Sequence, residues 1–154
     1  MTKPVSKIPA NCEGFIPYLI VRDAEKAIDF YAKAFGGQKG LVLKMNNGDV
    51  GHAEVIIGRT RIMLAEENVD WGIRSPQTVG GCPLTLTMYV ENVDAAAEQA
   101  IAAGMTVKRE LADQFYGDRM VTLTDPFGYD WCLGTHIEDV SDEEVARRMN
   151  EMHG

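Results

Sequence analysis

The sequence predicts an α+β fold of two tandem βαβββ modules. Three observations lead to this prediction. The order of strand-like and helical segments in the first half occurs again in the second half, each half holds one helix bounded by a capping residue and a glycine, and Gly-containing turns separate the strand-like runs. With 154 residues, 45% of them hydrophobic and 25% charged, the chain has the size and composition of one globular domain. We therefore expect a single domain over residues 1–154, made of modules 13–66 and 82–137.

The first module begins with an apolar, partly β-branched run of strand length over residues 15–21. Asp23 offers a side-chain oxygen to cap a helix over residues 24–35, and Gly36 ends that helix. The apolar positions of the helix recur at helical spacing and are Ala27, Ile28, Tyr31 and Phe35. Three further strands are predicted at 41–45, 51–57 and 61–65, with turns at Asn46-Asn47-Gly48 and Gly58.

The second module repeats this order of elements. A strand is predicted over residues 84–90, and Asn92 and Gly104 bound an alanine-rich helix over 93–103. Three strands follow at 106–109, 119–124 and 129–134, with a turn at Asp125-Pro126-Phe127-Gly128. The residues that end the first strand of each module align at an offset of 69 positions (90 − 21), which indicates a pseudo-twofold pair of modules.

A polar stretch over residues 67–81 separates the modules, and we interpret it as a linker or as a lid over a site. Trp71 lies in this stretch and either covers a planar ligand or anchors the linker. After the second module, Ser141 and Glu144 form a capping-box pattern that predicts a C-terminal helix over residues 141–152. Val145, Met149 and Met152 share one face of this helix, which packs on the body of the protein or on a second subunit.

The charge and cysteine content exclude several classes of function. Fifteen basic and 23 acidic residues give a net charge of −8, which repels nucleic acid and anionic membrane surfaces and favours cationic ligands. Three cysteines without a CxxC spacing indicate reduced thiols in a cytoplasmic protein. We expect neither a secretion signal nor a membrane span, because the N-terminal residues lack an apolar core and no 18-residue apolar run occurs.

Two segments of the sequence resemble a known superfamily. Residues 17–24, continuing through Ala27-Ile28-Asp29-Phe30-Tyr31, and the turn Asp125-Pro126-Phe127-Gly128-Tyr129 resemble the opening and closing segments of vicinal oxygen chelate proteins. That superfamily includes glyoxalase I, fosfomycin-resistance enzymes, bleomycin-binding proteins and extradiol dioxygenases. Residues 114–119 and 135–141 resemble its PhnB-like branch more narrowly. The resemblance implies that the two modules wrap a curved mixed sheet around an open cleft.

The resemblance also assigns four positions at which metal-dependent relatives carry their ligands. In this chain those positions hold Ile16, Met63, Thr85 and Cys132. A hard divalent ion prefers carboxylate and imidazole ligands, which none of the four supplies. We therefore expect no metal and no other cofactor. This departure argues against glyoxalase, fosfomycin-transferase and dioxygenase activities and favours ligand binding.

We accordingly predict a metal-free protein that binds a small organic molecule, with antibiotic-like compounds among the candidates, and that forms a homodimer. The residues expected to line its cleft are Ile16, Tyr18, Met63, Thr85, Thr87 and Cys132. Tyr116 and Arg119 are expected to orient polar groups of the ligand, since a guanidinium matches carboxylate or phosphate oxygens.

Three alternatives to this prediction stay open. His52 and Glu54 share a strand face, where they serve as general base and partner, as ligands of an unorthodox metal site, or only as a solvated ion pair. A second function is that of a metal-dependent lyase, isomerase or thiol-transferase of the same superfamily. A third is a regulatory module that docks a partner through its C-terminal helix.

Overall fold

The computed structural model, which describes residues 1, 3–10 and 12–152, divides into one unit that extends to Thr78 and another that begins at Val79. This boundary lies inside the predicted linker. Residues 67–78 therefore belong to the first unit instead of standing between two modules. Each unit contains one four-stranded sheet and one helix that packs on it.

The first unit has the predicted βαβββ order. Its elements are strand β1 (Tyr18–Val21), helix α1 (Ala24–Phe35), strands β2 (Gln38–Lys44), β3 (Val50–Ile57) and β4 (Thr60–Glu66), a 3-10 helix (Val69–Trp71) and the short helix α2 (Pro76–Val79). The strands lie in the order β1-β4-β3-β2, with β1 parallel to β4 and the other pairs antiparallel.

One face of the first sheet is buried under α1. Asp23 caps the helix by accepting a hydrogen bond from the Lys26 amide, and Gly36 ends it in the left-handed conformation, as predicted. Alternate strand residues and the apolar side of α1 form the core: Leu19, Val21, Ala53, Val55, Ile62, Leu64, Ala27, Ile28 and Tyr31. Because strand side chains alternate, the remaining residues lie on the opposite face, which we call the first far face: Tyr18, His52, Glu54, Arg61 and Met63.

The second unit repeats this plan. Its elements are strand β5 (Thr85–Tyr89), helix α3 (Val93–Ala103), strands β6 (Thr106–Asp113), β7 (Asp118–Thr124) and β8 (Asp130–His136), and helix α4 (Asp142–Met152). The strand order is β5-β8-β7-β6, and helix α3 covers the face that carries Val121, Leu123, Trp131 and Leu133. The opposite face, here called the second far face, carries Thr87, Tyr89, Asp118, Met120, Thr122, Cys132 and His136.

The strand register confirms the repeat inferred from the sequence. Tyr18 pairs with Met63 in the parallel β1–β4 ladder, and Thr87 pairs with Cys132 in the parallel β5–β8 ladder. Both members of the second pair lie 69 positions after those of the first (87 − 18 and 132 − 63). The α+β class and the tandem βαβββ architecture are therefore as predicted.

Three predicted strand boundaries were wrong by three residues or more, and one of them is the start of β2, which lies at Gln38 instead of residue 41. The first strand begins at Tyr18 rather than at residue 15, and Phe15 is fully exposed, because Pro17 lacks an amide proton for the ladder. Strand β6 extends to Asp113 instead of ending at 109. It is an edge strand with mostly exposed residues, so its sequence shows no apolar alternation by which its length could be recognised.

The stretch that follows β4 is anchored by one carboxylate. Glu67 accepts hydrogen bonds from Thr78 Oγ1 at 2.6 Å, from the Ser75 amide and hydroxyl at 3.0 and 2.9 Å, and from Arg22 Nε at 2.7 Å. These bonds, the one from Thr78 foremost, lower the pKa of Glu67 to about 2. The stretch is thus fixed to its own unit at Glu67, while the Trp71 side chain is exposed.

No helix in the described part of the chain is both long enough and apolar enough to cross a membrane.

The turn before β7 requires a glycine for two separate reasons. Gly117 has a φ of +95°, and a Cβ built on it would lie 2.2 Å from the Glu138 carbonyl oxygen. Gly48 has a similar φ of +91° but nothing within 4 Å of a Cβ. We predict that Gly48→Ala lowers the free energy of unfolding by about 1–2 kcal/mol, the cost of the left-handed backbone alone.

Gly117→Ala adds a clash with backbone that has no flexible end to move, so we expect a loss of more than about 3 kcal/mol. Urea unfolding of both variants measures the difference. Equal losses in the two variants would show that the Glu138 carbonyl does not restrict this turn.

Candidate functional site

Nine of the ten residues proposed from the sequence as site residues lie on or beside the two far faces. Ile16, Tyr18, His52, Glu54 and Met63 belong to the first unit, whereas Thr85, Thr87, Tyr116 and Cys132 belong to the second. Ile16 precedes β1 and is half-buried. Arg119 is the tenth residue, and its side chain lies elsewhere.

The first far face carries a continuous polar chain of four side chains. The Tyr18 hydroxyl lies 2.9 Å from His52 Nδ1, and His52 Nε2 lies 3.5 Å from Glu54 Oε1. Arg61 Nη1 donates to the other Glu54 oxygen at 2.9 Å. The side chains of His52, Glu54 and Arg61 are 24%, 15% and 15% exposed, so this chain is mostly withdrawn from water. It is therefore more than the solvated ion pair considered from the sequence.

The strand register explains why these four side chains meet. Met63 in β4 pairs with Tyr18 on one side and with Glu54 on the other. Tyr18 consequently reaches His52 across β4, with the two ring centroids 5.6 Å apart. Met63 lies between the polar groups and supplies apolar surface next to them.

The hydrogen-bond donors and acceptors of this polar chain follow from the partners of each side chain. Burial raises the pKa of the Tyr18 hydroxyl, so that group stays a neutral phenol at physiological pH. When the phenol donates to His52 Nδ1, the imidazole proton sits on Nε2 and faces Glu54. Glu54 is balanced in turn by Arg61. The chain thus presents an ordered set of donors and acceptors beside Met63.

The second far face carries a smaller and more apolar site. Thr122 Oγ1 lies 3.7 Å from Cys132 Sγ, and Thr87 pairs with Cys132 from the other side. A cavity of about 80 Å³ lies beside them, lined by Arg109, Glu110, Gln114, Tyr116, Met120, Val121, Thr122 and Cys132. Burial raises the pKa of Tyr116, which therefore remains a hydroxyl donor or acceptor at this cavity.

A second polar cluster on this face was missed by the sequence analysis. The buried carboxylate of Asp118 accepts from the Tyr89 hydroxyl at 2.5 Å and bonds His136 Nδ1 at 2.7 Å, and His136 Nε2 lies 2.8 Å from Asp139. Tyr89 reaches Asp118 across β8 at Gly134. A Cβ on Gly134 would lie at an ordinary 3.5 Å from the tyrosine ring but only 2.2 Å from Met120 Sδ, so this glycine makes room for Met120. The bond between Tyr89 and Asp118 has no comparable signal in the sequence.

Two carboxylates set the charge of this cluster. Hydrogen bonds to Asp118 and then to Asp139 raise the pKa of His136. Burial alone would raise the pKa of Asp118, but the bonds from Tyr89 and His136 outweigh burial and hold it below its usual value. The hydrogen bond to Asp118 also raises the pKa of Tyr89. His136 is exposed, but both of its ring nitrogens are bound by carboxylates.

Arg119 does not face this site. Its guanidinium binds both oxygens of Asp94 in α3 at 3.0 Å and Asp113 in β6 at 2.8 Å. Those bonds raise the pKa of Arg119, and the bonds to Asp94 have the largest effect. The side chain lies on the α3 side of the sheet, where it joins the helix to the edge strand. The bidentate role proposed for Arg119 with a ligand is fulfilled here by Asp94.

Comparisons with known proteins agree with the fold. A profile of the glyoxalase/bleomycin resistance protein/dioxygenase superfamily matches residues 14–133. An uncharacterized protein of Mycobacterium tuberculosis (strain H37Rv) is 37% identical over 137 residues, which are 87% of this chain and 81% of that protein. The chain belongs to the glyoxalase/bleomycin resistance protein/dioxygenase superfamily.

Solved structures show the same superfamily fold. The crystal structure of TioX from Micromonospora sp. ML1 matches with a TM-score of 0.62 and 24% identity, covering 80% of this chain and 100% of that one. A PhnB protein from Bacillus cereus matches with a TM-score of 0.61 and 16% identity, covering 80% and 99%. At these identities the likeness supports the shared fold.

The divalent metal of some glyoxalase-superfamily members does not fit the residues at the corresponding positions here. Ile16 has no donor atom, Thr85 has a neutral hydroxyl, and Met63 and Cys132 offer only soft sulfur. In the described residues no three or more His, Cys, Asp or Glu side chains are grouped as a metal site. We therefore derive no chemistry through a divalent ion at these positions.

The doubly bonded histidine gives a pH-dependent prediction. Because the folded-state pKa of His136 lies above its ordinary value of about 6.5, its charged bonds stabilise the fold fully below about pH 6.5. That stabilisation is lost as pH rises through the raised pKa. We expect the stability difference between the wild type and His136→Gln to shrink as pH rises above about 6.5.

Urea unfolding at several pH values measures this difference. Asp139→Asn, which removes only one of the two carboxylate partners, serves as the matched control and is expected to show a weaker pH dependence of the same sign. A wild-type advantage over His136→Gln that stays constant with pH would contradict the charged form of the cluster.

Proposed function

We propose that this protein binds a small organic molecule without a resident metal, and that Tyr18, His52 and Met63 on the first far face form the centre of the site. The observation that carries the proposal is the polar chain Tyr18–His52–Glu54–Arg61, held beside apolar surface on a sheet face that α1 does not cover. Small-molecule sites combine mostly apolar lining with a few placed polar groups. This face has that composition.

The position of the polar chain supports this proposal over a structural role. The core of the first unit lies on the α1 side of the sheet, so the far-face groups are not needed to fill it. Withdrawing a carboxylate and a guanidinium from water is costly unless they are paired, and replacing the pair by well-packed apolar residues would be no less stable. A far face kept polar and half-buried is suited to hydrogen bonding with a ligand.

The second far face offers a separate set of contacts within its own unit. Tyr116 and Cys132 line the small cavity, and Thr85 and Thr87 lie on the neighbouring strand β5, with Thr87 beside Cys132 in the ladder. Two hydroxyls, a phenol and a thiol suit a weakly polar group. Arg119 is left out of the proposed site, because Asp94 and Asp113 occupy its guanidinium.

The ligand class, the branch of the superfamily and the cellular compartment are proposed from similarity and from the cysteines. Members of the superfamily commonly bind small ligands and form dimers. We propose that the ligand is an antibiotic-like or related aromatic molecule, that the chain belongs to the PhnB-like branch, and that it acts in the cytoplasm. The likeness to the PhnB protein supports the branch, and the three free cysteines support a reducing compartment.

A second candidate function is proton transfer as an isomerase or lyase. The contact of His52 with both Tyr18 and Glu54 favours it, because a base flanked by a phenol and a carboxylate is oriented on both sides. In such a reaction the Tyr18 oxygen would take a proton from the substrate while the phenol proton passes to His52 Nδ1, Glu54 would stabilise the imidazolium, and the same relay in reverse would return a proton to the product. The metal-dependent version of this alternative lacks its ligands at the four positions described above.

Substitution of the central apolar residue tests the binding site. Three aromatic probes of similar size are titrated: neutral benzyl alcohol, cationic benzylamine and anionic benzoate. The amide chemical shifts of the protein are followed by NMR during each titration. We expect at least one probe to shift first-far-face amides, and Met63→Ala to weaken its binding by about five- to tenfold, the effect of removing a buried apolar contact.

Met149→Ala, the same change at an exposed position on α4, should leave the affinity unchanged. Elemental analysis of protein purified without chelator accompanies the titration. Stoichiometric metal, or equal losses of affinity in the two methionine variants, would overturn the proposed function.

The proposed homodimer gives a separate prediction. The edge strands expose large apolar side chains, among them Leu41 and Leu43 in β2 and Tyr89 in β5, and such surface favours pairing with a second chain. We expect light scattering to give about twice the chain mass of 17.0 kDa. A mass of one chain at micromolar concentration would contradict the dimer.

A further inference from the structure

We infer that the ligand of the first far face carries an oxyanion, a carboxylate or a phosphate, which Arg59 and Arg61 bind at the turn between β3 and β4. This inference rests on the proposed function and adds the chemical class of the ligand. It comes from a cavity and a pair of arginines that the sequence analysis did not single out.

The site is a cavity of about 370 Å³ in the first unit. It lies where β3 turns into β4, and its lining residues are Glu13, Ile56, Gly58, Arg59, Thr60 and Arg61. Its volume falls within the range of small-molecule pockets. Arg61 lines the cavity and also ends the polar chain of the far face, so the cavity continues the site already proposed.

The two arginines differ in how they are held. Arg61 is 15% exposed, and one of its terminal nitrogens is fixed by Glu54 at 2.9 Å. Fixing one nitrogen orients the planar guanidinium while leaving other donors of its fork for a ligand. Arg59 forms no ion pair or hydrogen bond with any residue that the structure describes. One positioned and one unpaired guanidinium, with the Thr60 hydroxyl between them in sequence, match the oxygens of a carboxylate or phosphate.

The local charge outweighs the net charge of the chain at this position. The protein carries a net charge of −8, and this charge favours cationic ligands when all charged residues are taken together. Exposed charges beyond about 8 Å are largely screened at physiological salt, however, so the groups in contact with the ligand decide its sign. Arg59, Arg61 and Glu13 are the charged residues that line the cavity, whereas Glu54, which pairs with Arg61, lies outside the lining. The groups that a ligand in this cavity would contact are therefore two guanidinium groups and one carboxylate.

The remaining lining residues restrict the ligand further. Ile56 supplies apolar surface, which favours an organic anion over a free inorganic ion. Glu13 repels part of the negative charge and accepts a hydrogen bond from an O–H or N–H of the ligand. The favoured class is thus a small organic carboxylate or phosphate ester with an apolar body.

The experiment titrates the full chain with benzoate, phenyl phosphate and benzylamine and follows the amides of residues 56–61 by NMR. We expect benzoate or phenyl phosphate to shift these amides and benzylamine to leave them unshifted. The two anions distinguish a carboxylate ligand from a phosphate ligand. Tighter binding of benzoate indicates a carboxylate, and tighter binding of phenyl phosphate indicates a phosphate ester. Raising the salt concentration should weaken binding of either anion.

Variants then assign the binding to the two arginines. Arg59→Ala should weaken anion binding about tenfold, the size of one charge-assisted hydrogen-bond pair. Arg74→Ala, the same change at an exposed position outside the cavity, is the matched control and should change it by less than about twofold. The double variant Glu54→Gln with Arg61→Gln removes the second guanidinium without leaving an unpaired carboxylate, and it should also weaken binding.

Each outcome decides between the two proposals. Binding of benzylamine or benzyl alcohol, sensitive to Met63→Ala, with no binding of either anion, would overturn the oxyanion and leave the proposed function intact. Equal losses in Arg59→Ala and Arg74→Ala would also overturn it, because they would reflect only the total charge. Failure of every probe to bind would overturn both. Tighter anion binding by Glu13→Gln, which removes the opposing charge, would support the inference.

Discussion

The structure depends on one constraint: each four-stranded sheet has a single helix packed on it, and that helix covers only one face. Leu19, Val55 and Leu64 are buried because α1 lies over them, and the alternation of strand side chains then commits their neighbours to the other face. The apolar side chains buried between helix and sheet stabilise each unit. The far faces are therefore free to carry tyrosines, histidines and carboxylates that a core would not tolerate, and every candidate site residue except Arg119 lies on or beside them.

The repeat gives both units the same framework but not the same chemistry. Tyr18 and Met63 occupy the positions of Thr87 and Cys132, yet the polar chain of the first unit lies across β4 and β3, whereas that of the second lies at the ends of β5, β7 and β8. In each unit a tyrosine on the first strand reaches across its neighbour to a third strand. The two tyrosines do not occupy equivalent positions, because Thr87 and not Tyr89 lies 69 residues after Tyr18. Equivalent backbones thus support different networks through the placement of polar side chains along the strands.

The sequence predicted those features that a few neighbouring residues determine. The caps at Asp23 and Asn92 are bonds to amides three residues away, and Asp125 accepts from the amides of Phe127 and Tyr129 within its own turn. The shared face of His52 and Glu54 follows from strand periodicity alone. Contacts between distant elements could not be predicted in this way. Glu67 and Thr78, Tyr89 and Asp118, and Arg119 and Asp94 are partners only because the fold brings their elements together.

The arginines show why a motif alone does not locate a binding group. Arg119 lies in the most distinctive segment of the sequence, but α3 presents both oxygens of Asp94 to it and β6 adds Asp113, so its guanidinium is already engaged. Arg61 lies in an unremarkable strand, and Glu54 engages it through one oxygen only. A guanidinium has five N–H donors, so the number of carboxylate oxygens that the fold places around it decides whether donors remain for a ligand. By that criterion Arg61 on the first far face, with Arg59 in the adjoining turn, is the group that we propose for ligand binding.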